Sequence, residues 1–262
     1  MDFIVLSVSG FLIGALGTII GSGGGFLVVP LLLLLTDLSP QVIAGTSLTV
    51  ALFTSLSGFV AYHRQRKIDY LVAGVFVLAL IPATFIGVEV NQRIEADQFR
   101  MILGVLLVMI STLLFKRVNI RIPHYIPYPI HYDREKTDSQ GVTYKYHVSM
   151  RRGALMSFVI GVVSPVVGIG GGVLRTPAMV VLEGMPARIA APTSQVTTIF
   201  GGAIAVALFA MKSQINISYA IPLIVGVIVG AQVGALFSER YGLMVRKITS
   251  AALFITGLWL LL

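Results

Sequence analysis

Two short glycine runs constrain the fold of this chain more than any other feature. The first run is Gly21–Gly25 (GSGGG) and the second is Gly168–Gly172 (GIGGG), and a proline follows each of them, at Pro30 and Pro177. A glycine in a helix interior costs about 1 kcal/mol relative to alanine, so three or four together interrupt a helix. Both runs lie inside strongly apolar segments. The sequence therefore predicts two helices that are broken within apolar surroundings.

The composition places these apolar segments in a lipid bilayer. The chain has 262 residues, of which 56% are hydrophobic and 11% are charged, and its mean hydropathy is +0.92. Soluble domains carry about 25% charged residues, and a membrane span needs about 20 apolar residues. We therefore predict an all-α polytopic membrane protein.

The charge pattern argues against a nucleic-acid partner. The net charge of +8 is concentrated in a few loops, which is typical of cytoplasmic loops that face lipid headgroups.

The chain has no cysteine, which excludes thiolate metal sites and thiol chemistry. Its first residues lack the basic region of a cleavable signal, so we expect the first apolar segment to remain in the protein.

The apolar pattern occurs twice. An offset of 147 residues aligns six of ten positions between the two glycine–proline motifs and places Thr46 and Ser47 on Thr193 and Ser194. We predict a first transmembrane repeat over residues 1–116 and a second over 151–262. Each repeat comprises a glycine-broken segment and three further apolar segments, and those of the second are 189–211, 219–237 and 248–262. The polar residues 117–150 are predicted to form a cytoplasmic linker, with a short hairpin around Ser139–Gly141.

The loop charges favour inverted repeats over parallel ones. If every apolar segment crosses the membrane, the repeats are parallel and the loops carry twelve basic residues inside and six outside. If each broken segment is instead a re-entrant hairpin, the repeats are inverted and the count is fifteen against three, without Arg175. The positive-inside rule favours the second arrangement. Duplicated transporters commonly bind their substrate where the repeats meet.

The motif residues suit a small anion. Backbone N–H groups of a glycine run that opens a helix can bind negative charge, and the nearby hydroxyl and amide groups can donate further hydrogen bonds. Arg175 stands at the position equivalent to Val28, and an intramembrane arginine indicates a functional site, although it can also cap helix carbonyls. The predicted substrate-binding residues are Gly23, Gly24, Gly25, Thr46, Ser47, Gly170, Gly171, Gly172, Arg175, Thr193, Ser194 and Gln195.

The doubled motif resembles the sulfite exporter TauE/SafE family of membrane permeases, through GxGGG, the following proline and the later Thr-Ser pair in both halves. The resemblance implies a multi-pass transporter in the cytoplasmic membrane of a prokaryote. It would export sulfite, sulfoacetate or related organosulfonates, by alternating access. An anion-selective channel and an importer of a related oxyanion remain alternatives. No catalytic or metal-binding constellation is present, so we expect neither an enzyme nor a cofactor, and a homodimer is left open.

Overall fold

The computed structural model describes residues 3–20, 23–115 and 132–262, without the side chains at 114, 237–244 and 246. Gly21, Ser22 and linker residues 117–131 therefore lie outside the described part. The elements in chain order are α1 (Phe3–Ile20), α2 (Gly25–Leu35), α3 (Pro40–Arg64), α4 (Tyr70–Gln92), α5 (Ala96–Phe115), β1 (Tyr132–Thr137), β2 (Thr143–Val148), α6 (Met150–Val167), α7 (Gly172–Leu182), α8 (Ala187–Met211) and α9 (Ile217–Leu261).

The all-α membrane architecture predicted from the composition is confirmed. Among the described residues, seven helices are long and apolar enough to span a membrane. The glycine runs separate α1 from α2 and α6 from α7. The short helices α2 and α7 have 11 residues each, which gives about 17 Å at 1.5 Å per residue. Each short helix therefore covers about half of a hydrocarbon core of about 30 Å.

The helices of the two halves are interleaved. Helix α1 packs along α9, α6 along α4, α3 along α8, and α5 along the C-terminal part of α9. Glycines permit the close approach, because a Cβ atom at Gly14 would lie 2.6 Å from the carbonyl oxygen of Val227. Small residues at such contacts are typical of membrane helix pairs. The first helix of each half thus packs mainly against the other half.

The C-terminal helix differs from the prediction. Residues 219–237 and 248–262 were expected as separate segments, but the structure has a single helix, α9, of 45 residues. A straight helix of that length would measure about 68 Å. The C-terminal part of α9 runs antiparallel to α5, since Gly257 lies against Gly104 and Ser250 accepts a hydrogen bond from Ser111. Gln214, just before α9, bonds Gln92 at the end of α4, which immediately precedes α5. Helix α9 therefore bends back, and the helix-favouring residues between the two segments keep its backbone helical.

A β-hairpin precedes the second half of the chain. Strands β1 and β2 are antiparallel, with Tyr132 opposite Val148. The turn is held by Asp138, whose N–H donates to the carbonyl oxygen of Val142 (3.0 Å) and whose carboxylate accepts from the N–H groups of Gln140 (2.9 Å) and Val142 (3.0 Å). The hairpin is therefore a locally stabilised unit.

The hairpin docks on the start of α4 through Asp69. Arg134 donates two hydrogen bonds to the Asp69 carboxylate, from Nε (2.9 Å) and Nη2 (2.8 Å), and the Tyr146 hydroxyl donates a third (2.6 Å). Burial alone would raise the pKa of Asp69, but the bonds from Arg134, Tyr146 and the Val72 N–H lower it below its ordinary value of 3.8. Burial and this carboxylate raise the pKa of Tyr146. We call this the hairpin end of the helix bundle, and the other the far end.

Hydrogen bonds fix which helix termini share an end. The N–H of Ser149, at the start of α6, donates to the carboxylate of Glu183 just after α7 (2.8 Å), so both termini lie at the hairpin end. At the far end, the Gln41 amide donates to the carbonyl oxygens of Asn91 and Ile94 (3.2 Å each). The start of α3 therefore lies beside the end of α4.

Candidate functional site

The two glycine breaks have the same backbone geometry. Four residues at equivalent positions have left-handed φ angles between 71° and 77°: Gly23, Gly24, Gly170 and Gly171. Glycine adopts such angles without steric cost. The N–H of Gly25 donates to the carbonyl oxygen of Gly23 (3.0 Å), and the N–H of Gly172 to that of Gly170 (2.9 Å). These two N–H groups, which the sequence offered as anion ligands, are therefore engaged within the turns.

The two breaks contact each other beside α3. The Ser47 hydroxyl lies 3.0 Å from the carbonyl oxygen of Gly25 and 2.8 Å from that of Gly168. Cβ atoms at Gly25 and Gly170 would lie 2.7 Å and 2.9 Å from the methyl group of Ala51. The glycine runs are thus brought together, and Ser47 joins them through its single hydroxyl proton.

The two threonines of the repeated Thr-Ser pair hold helix starts. The hydroxyl of Thr46 accepts from the N–H of Asn216 before α9 (2.9 Å), and the hydroxyl of Thr193 accepts from the N–H of Asp69 before α4 (3.1 Å). The first bond lies at the far end and the second at the hairpin end. Each threonine therefore holds the start of a helix in the other half of the chain: Thr46 holds the start of α9, and Thr193 holds the start of α4.

Ser194 is also engaged. Its hydroxyl lies 2.8 Å from the carbonyl oxygen of Ala191 and 2.7 Å from the hydroxyl of Thr176. All four hydroxyls that the sequence proposed as ligands consequently have protein partners in this structure.

Arg175 is buried inside α7 with part of its guanidinium unused. The side chain is 1% exposed, and Nη1 donates to the Thr197 hydroxyl (2.9 Å), which itself donates to the carbonyl oxygen of Ser194 (2.7 Å). Nε and Nη2 have no hydrogen-bond partner within the described residues. No described carboxylate pairs with this cation either.

The unused edge of Arg175 has a known counterpart in the same chain. Nε and Nη2 form the edge with which Arg134 binds both oxygens of the Asp69 carboxylate. Such a paired donor edge fits carboxylate and related oxyanions. The arrangement at Arg175 can therefore bind two oxygens of an anion side-on.

A small cavity lies beside Arg175 and Gly170. Polar side chains of α4, α6 and α8 also line it: Thr84, Ser164, Thr197 and Thr198. It has room for about one water molecule. Any oxyanion is larger, so the cavity is closed to such a ligand in this conformation.

The sequence prediction missed several polar groups. Thr197 and Thr198 were not predicted; together with the predicted Ser194 and with Gly201 they follow i, i+3, i+4, i+7 spacing along α8, which places them on one helix face. This polar stripe was a readable signal for the Arg175 cavity. Gln195, which was predicted, faces the first break instead: a Cβ atom at Gly23 would lie 3.7 Å from its Oε1.

Comparison with known proteins gives the chain a family. The sequence model described as "Sulfite exporter TauE/SafE" matches residues 6–260. The chain belongs to the sulfite exporter TauE/SafE family. It is thus a membrane transporter of the multi-pass type in the cytoplasmic membrane and not an enzyme, as the sequence indicated.

Curated relatives agree with the TauE/SafE assignment. A "Probable membrane transporter protein YunE" of Bacillus subtilis is 31% identical over 92% of this chain and 90% of its own length. A "Probable membrane transporter protein" of Xylella fastidiosa is 26% identical over 92% and 86%. A "Sulfite exporter TauE/SafE family protein 1" of Arabidopsis thaliana is 32% identical over 37% of this chain and 21% of its own. No solved structure matches.

Proposed function

We propose that this protein is a secondary transporter that exports sulfur-containing anions, sulfite, sulfoacetate or related organosulfonates, by alternating access. Membership of the TauE/SafE family supplies the transporter class. The observation that carries the proposal is the buried Arg175, whose Nε and Nη2 edge has no partner among the described residues. A buried cation without a counter-charge is costly, so an anionic substrate would stabilise it.

Arg175 would bind two oxygens of the sulfur oxyanion side-on. Thr197 holds the third nitrogen of the guanidinium and thereby orients that edge. Helix α7 begins only three residues earlier, at Gly172, and a helix N-terminus adds partial positive charge for an anion. The glycine positions Gly23, Gly24, Gly25, Gly170 and Gly171 would let the backbone approach the ligand closely. The helices around this site would be held in place by the hydroxyls of Thr46, Ser47, Thr193 and Ser194.

Inverted repeats with re-entrant broken segments are part of the proposal. The bond between Ser149 and Glu183 supports it, since α6 begins and α7 ends at the hairpin end. In the first half, Gly10 of α1 packs against Leu223 near the start of α9, and α2 ends at Leu35, five residues before Pro40. The start of α1 and the end of α2 therefore both lie at the far end. The broken segments would thus enter from opposite sides of the membrane.

Equivalent bonds at the two ends fit an alternating-access cycle. The Thr193–Asp69 bond would close the hairpin end and the Thr46–Asn216 bond would close the far end. Both are made here, and the cavity at Arg175 has room for about one water molecule. Transport would require these contacts to open in turn, so that the site faces one side at a time.

Transport by purified protein in liposomes tests the proposal. Liposomes loaded with sulfite should lose it through the wild-type protein, and Arg175→Ala should abolish the protein-dependent flux. Arg175→Lys should recover only part, because an ammonium group lacks the paired edge. Arg93→Gln is the matched control, since it removes one exposed arginine. Sulfite flux in Arg175→Ala equal to wild type would contradict the site.

The same liposomes separate a carrier from a channel. A carrier with a closed cycle should exchange labelled sulfite faster when unlabelled sulfite is present on the opposite side. Single-channel currents in planar bilayers, without such acceleration, would contradict alternating access and leave the anion site itself intact.

A further inference from the structure

A second group of polar side chains surrounds the first glycine break. It consists of Thr18 on α1, Ser55 on α3 and Gln195 on α8, each at most 1% exposed. Thr18 Oγ1, Ser55 Oγ and Gln195 Oε1 have no hydrogen-bond partner among the residues that the structure describes. Buried polar atoms without a partner are uncommon in folded proteins and need an explanation.

Two glycines lie against these side chains. A Cβ atom at Gly23 would lie 2.9 Å from Ser55 Oγ and 3.7 Å from Gln195 Oε1. A Cβ atom at Gly58 would lie 3.9 Å from the amide carbon of Gln195 and 3.9 Å from the methyl carbon of Thr18. Ser55 Oγ and Gln195 Oε1 therefore face one region beside the break, and the Thr18 side chain lies next to Gln195 at Gly58.

The sign of the ligand follows from the helix that begins there. Helix α2 has 11 residues and starts at Gly25, with Gly24 as its N-cap. A helix N-terminus carries about half a positive charge, which attracts anions and repels cations. The hydroxyls of Thr18 and Ser55 can donate hydrogen bonds, and Gln195 can donate only through its amide nitrogen, since the atom beside Gly23 is the accepting oxygen Oε1. The region suits a small anion held by uncharged donors.

The two breaks are equivalent in position and different in chemistry. The offset of 147 residues equates Gly23 with Gly170 and Ser55 with Gly202, and Gly170 and Gly202 both line the Arg175 cavity. It also equates Val28 with Arg175 and Leu48 with Gln195. The second break thus has the cation Arg175 and the aliphatic Leu48 beside it, while the first break has the aliphatic Val28 and the amide of Gln195.

We infer that Thr18, Ser55 and Gln195 form a second, uncharged subsite for the transported oxyanion, so that the anion moves between a charged and a neutral station. This inference rests on the proposed function of the Arg175 site. Transport requires binding that is favourable enough to admit an ion and weak enough to release it. A neutral station next to a charged one meets both requirements.

The neutral station lies toward the hairpin end. Tyr62, two residues before the end of α3, donates to the carbonyl oxygen of Thr18 (3.3 Å), and α3 ends beside Asp69 and the hairpin. An anion that enters from the hairpin end would meet the uncharged donors before it reaches Arg175.

Conservative variants of the full chain test this inference. Thr18→Val with Ser55→Ala removes two donors that have no protein partner, so the variant should fold. Gly58→Ala adds a methyl group at ordinary contact distance, 3.9 Å from its neighbours, and improves helix propensity. Gly74→Ala is the matched control, because nothing lies within 4 Å of its added Cβ.

Sulfite is the probe, followed as binding and as efflux from liposomes. We expect both station variants to bind sulfite within twofold of wild type, since Arg175 is intact. We expect the efflux rate at saturating sulfite to fall about tenfold in the Thr18→Val, Ser55→Ala variant, because each neutral hydrogen bond contributes up to about that factor. In Gly58→Ala it should fall because the added methyl group lies against Thr18 and Gln195. Gly74→Ala should transport as wild type does.

Two results would overturn the second station. Efflux at the wild-type rate in both station variants would show that the neutral groups are not on the path. Sulfite affinity lowered as strongly as in Arg175→Ala would show one site rather than two. In either case wild-type sulfite transport that depends on Arg175 would leave the proposed function standing, whereas a wild type without sulfite flux would remove both proposals.

Discussion

Two serines on α3 provide a matched test of how the glycine breaks are held together. Ser47 and Ser55 lie two helical turns apart and are both 0% exposed. The Ser47 hydroxyl binds the carbonyl oxygens of Gly25 and Gly168, whereas the Ser55 hydroxyl has no partner among the described residues. Ser47→Ala would leave two buried carbonyls without their donor, at a cost of about 1–3 kcal/mol. Ser55→Ala leaves no group unsatisfied.

Thermal unfolding of the detergent-purified variants measures this difference. A cost of 1–3 kcal/mol corresponds to a fall in Tm of about 2–12 °C for a chain of this size. Ser55→Ala should unfold at the wild-type temperature or above it, because a buried hydroxyl without a partner is removed. Equal Tm values for the two variants would refute the proposed role of Ser47 in joining the breaks.

Three further predictions concern the hairpin and the helix packing. Arg134→Ala should speed hydrogen exchange in the hairpin about 10- to 150-fold, because bonds between charged groups contribute about 1.5–3 kcal/mol. Lys145→Ala alters only an exposed ion pair and should leave the exchange unchanged. Equal exchange in both variants would contradict the docking of the hairpin on Asp69. Because the pKa of Asp69 is lowered in the folded protein, the contribution of this carboxylate to docking is complete above its ordinary pKa of 3.8 and is lost as the pH falls through the lower folded pKa. Protease cleavage of the hairpin should therefore increase only on acidification below pH 3.8. Release of the hairpin near neutral pH would contradict this prediction. Gly14→Val should prevent folding, seen as loss of the monodisperse peak in gel filtration, since the backbone of Val227 occupies the space.

The sequence was sufficient for the parts of the fold that depend on local composition. The apolar segments, their helical state, the interruption at the two glycine runs and the transporter family were all readable from residue types and their spacing. The offset of 147 residues also pointed to the equivalent glycine positions whose φ angles agree, such as Gly24 and Gly171. These features require no knowledge of which helices touch.

The roles of the Thr-Ser pairs depend on tertiary contacts and were not readable. Thr46 and Asn216 are 170 positions apart, so the sequence could place the hydroxyl but not its partner. The same holds for Thr18, Ser55 and Gln195, which come from three helices and share a site only after packing. The bend of α9 was also hidden, because it depends on which helices the two parts of α9 pack against, α1 and α5.

Sulfite titration of Arg175 variants by isothermal calorimetry tests the central claim most directly. Because charge-assisted hydrogen bonds contribute about 1.5–3 kcal/mol, Arg175→Ala should bind sulfite about 10- to 150-fold more weakly than wild type. Arg93→Gln should bind as wild type does. Equal sulfite affinity in Arg175→Ala and wild type, with both proteins folded, would contradict the conclusion that this buried guanidinium binds the transported anion.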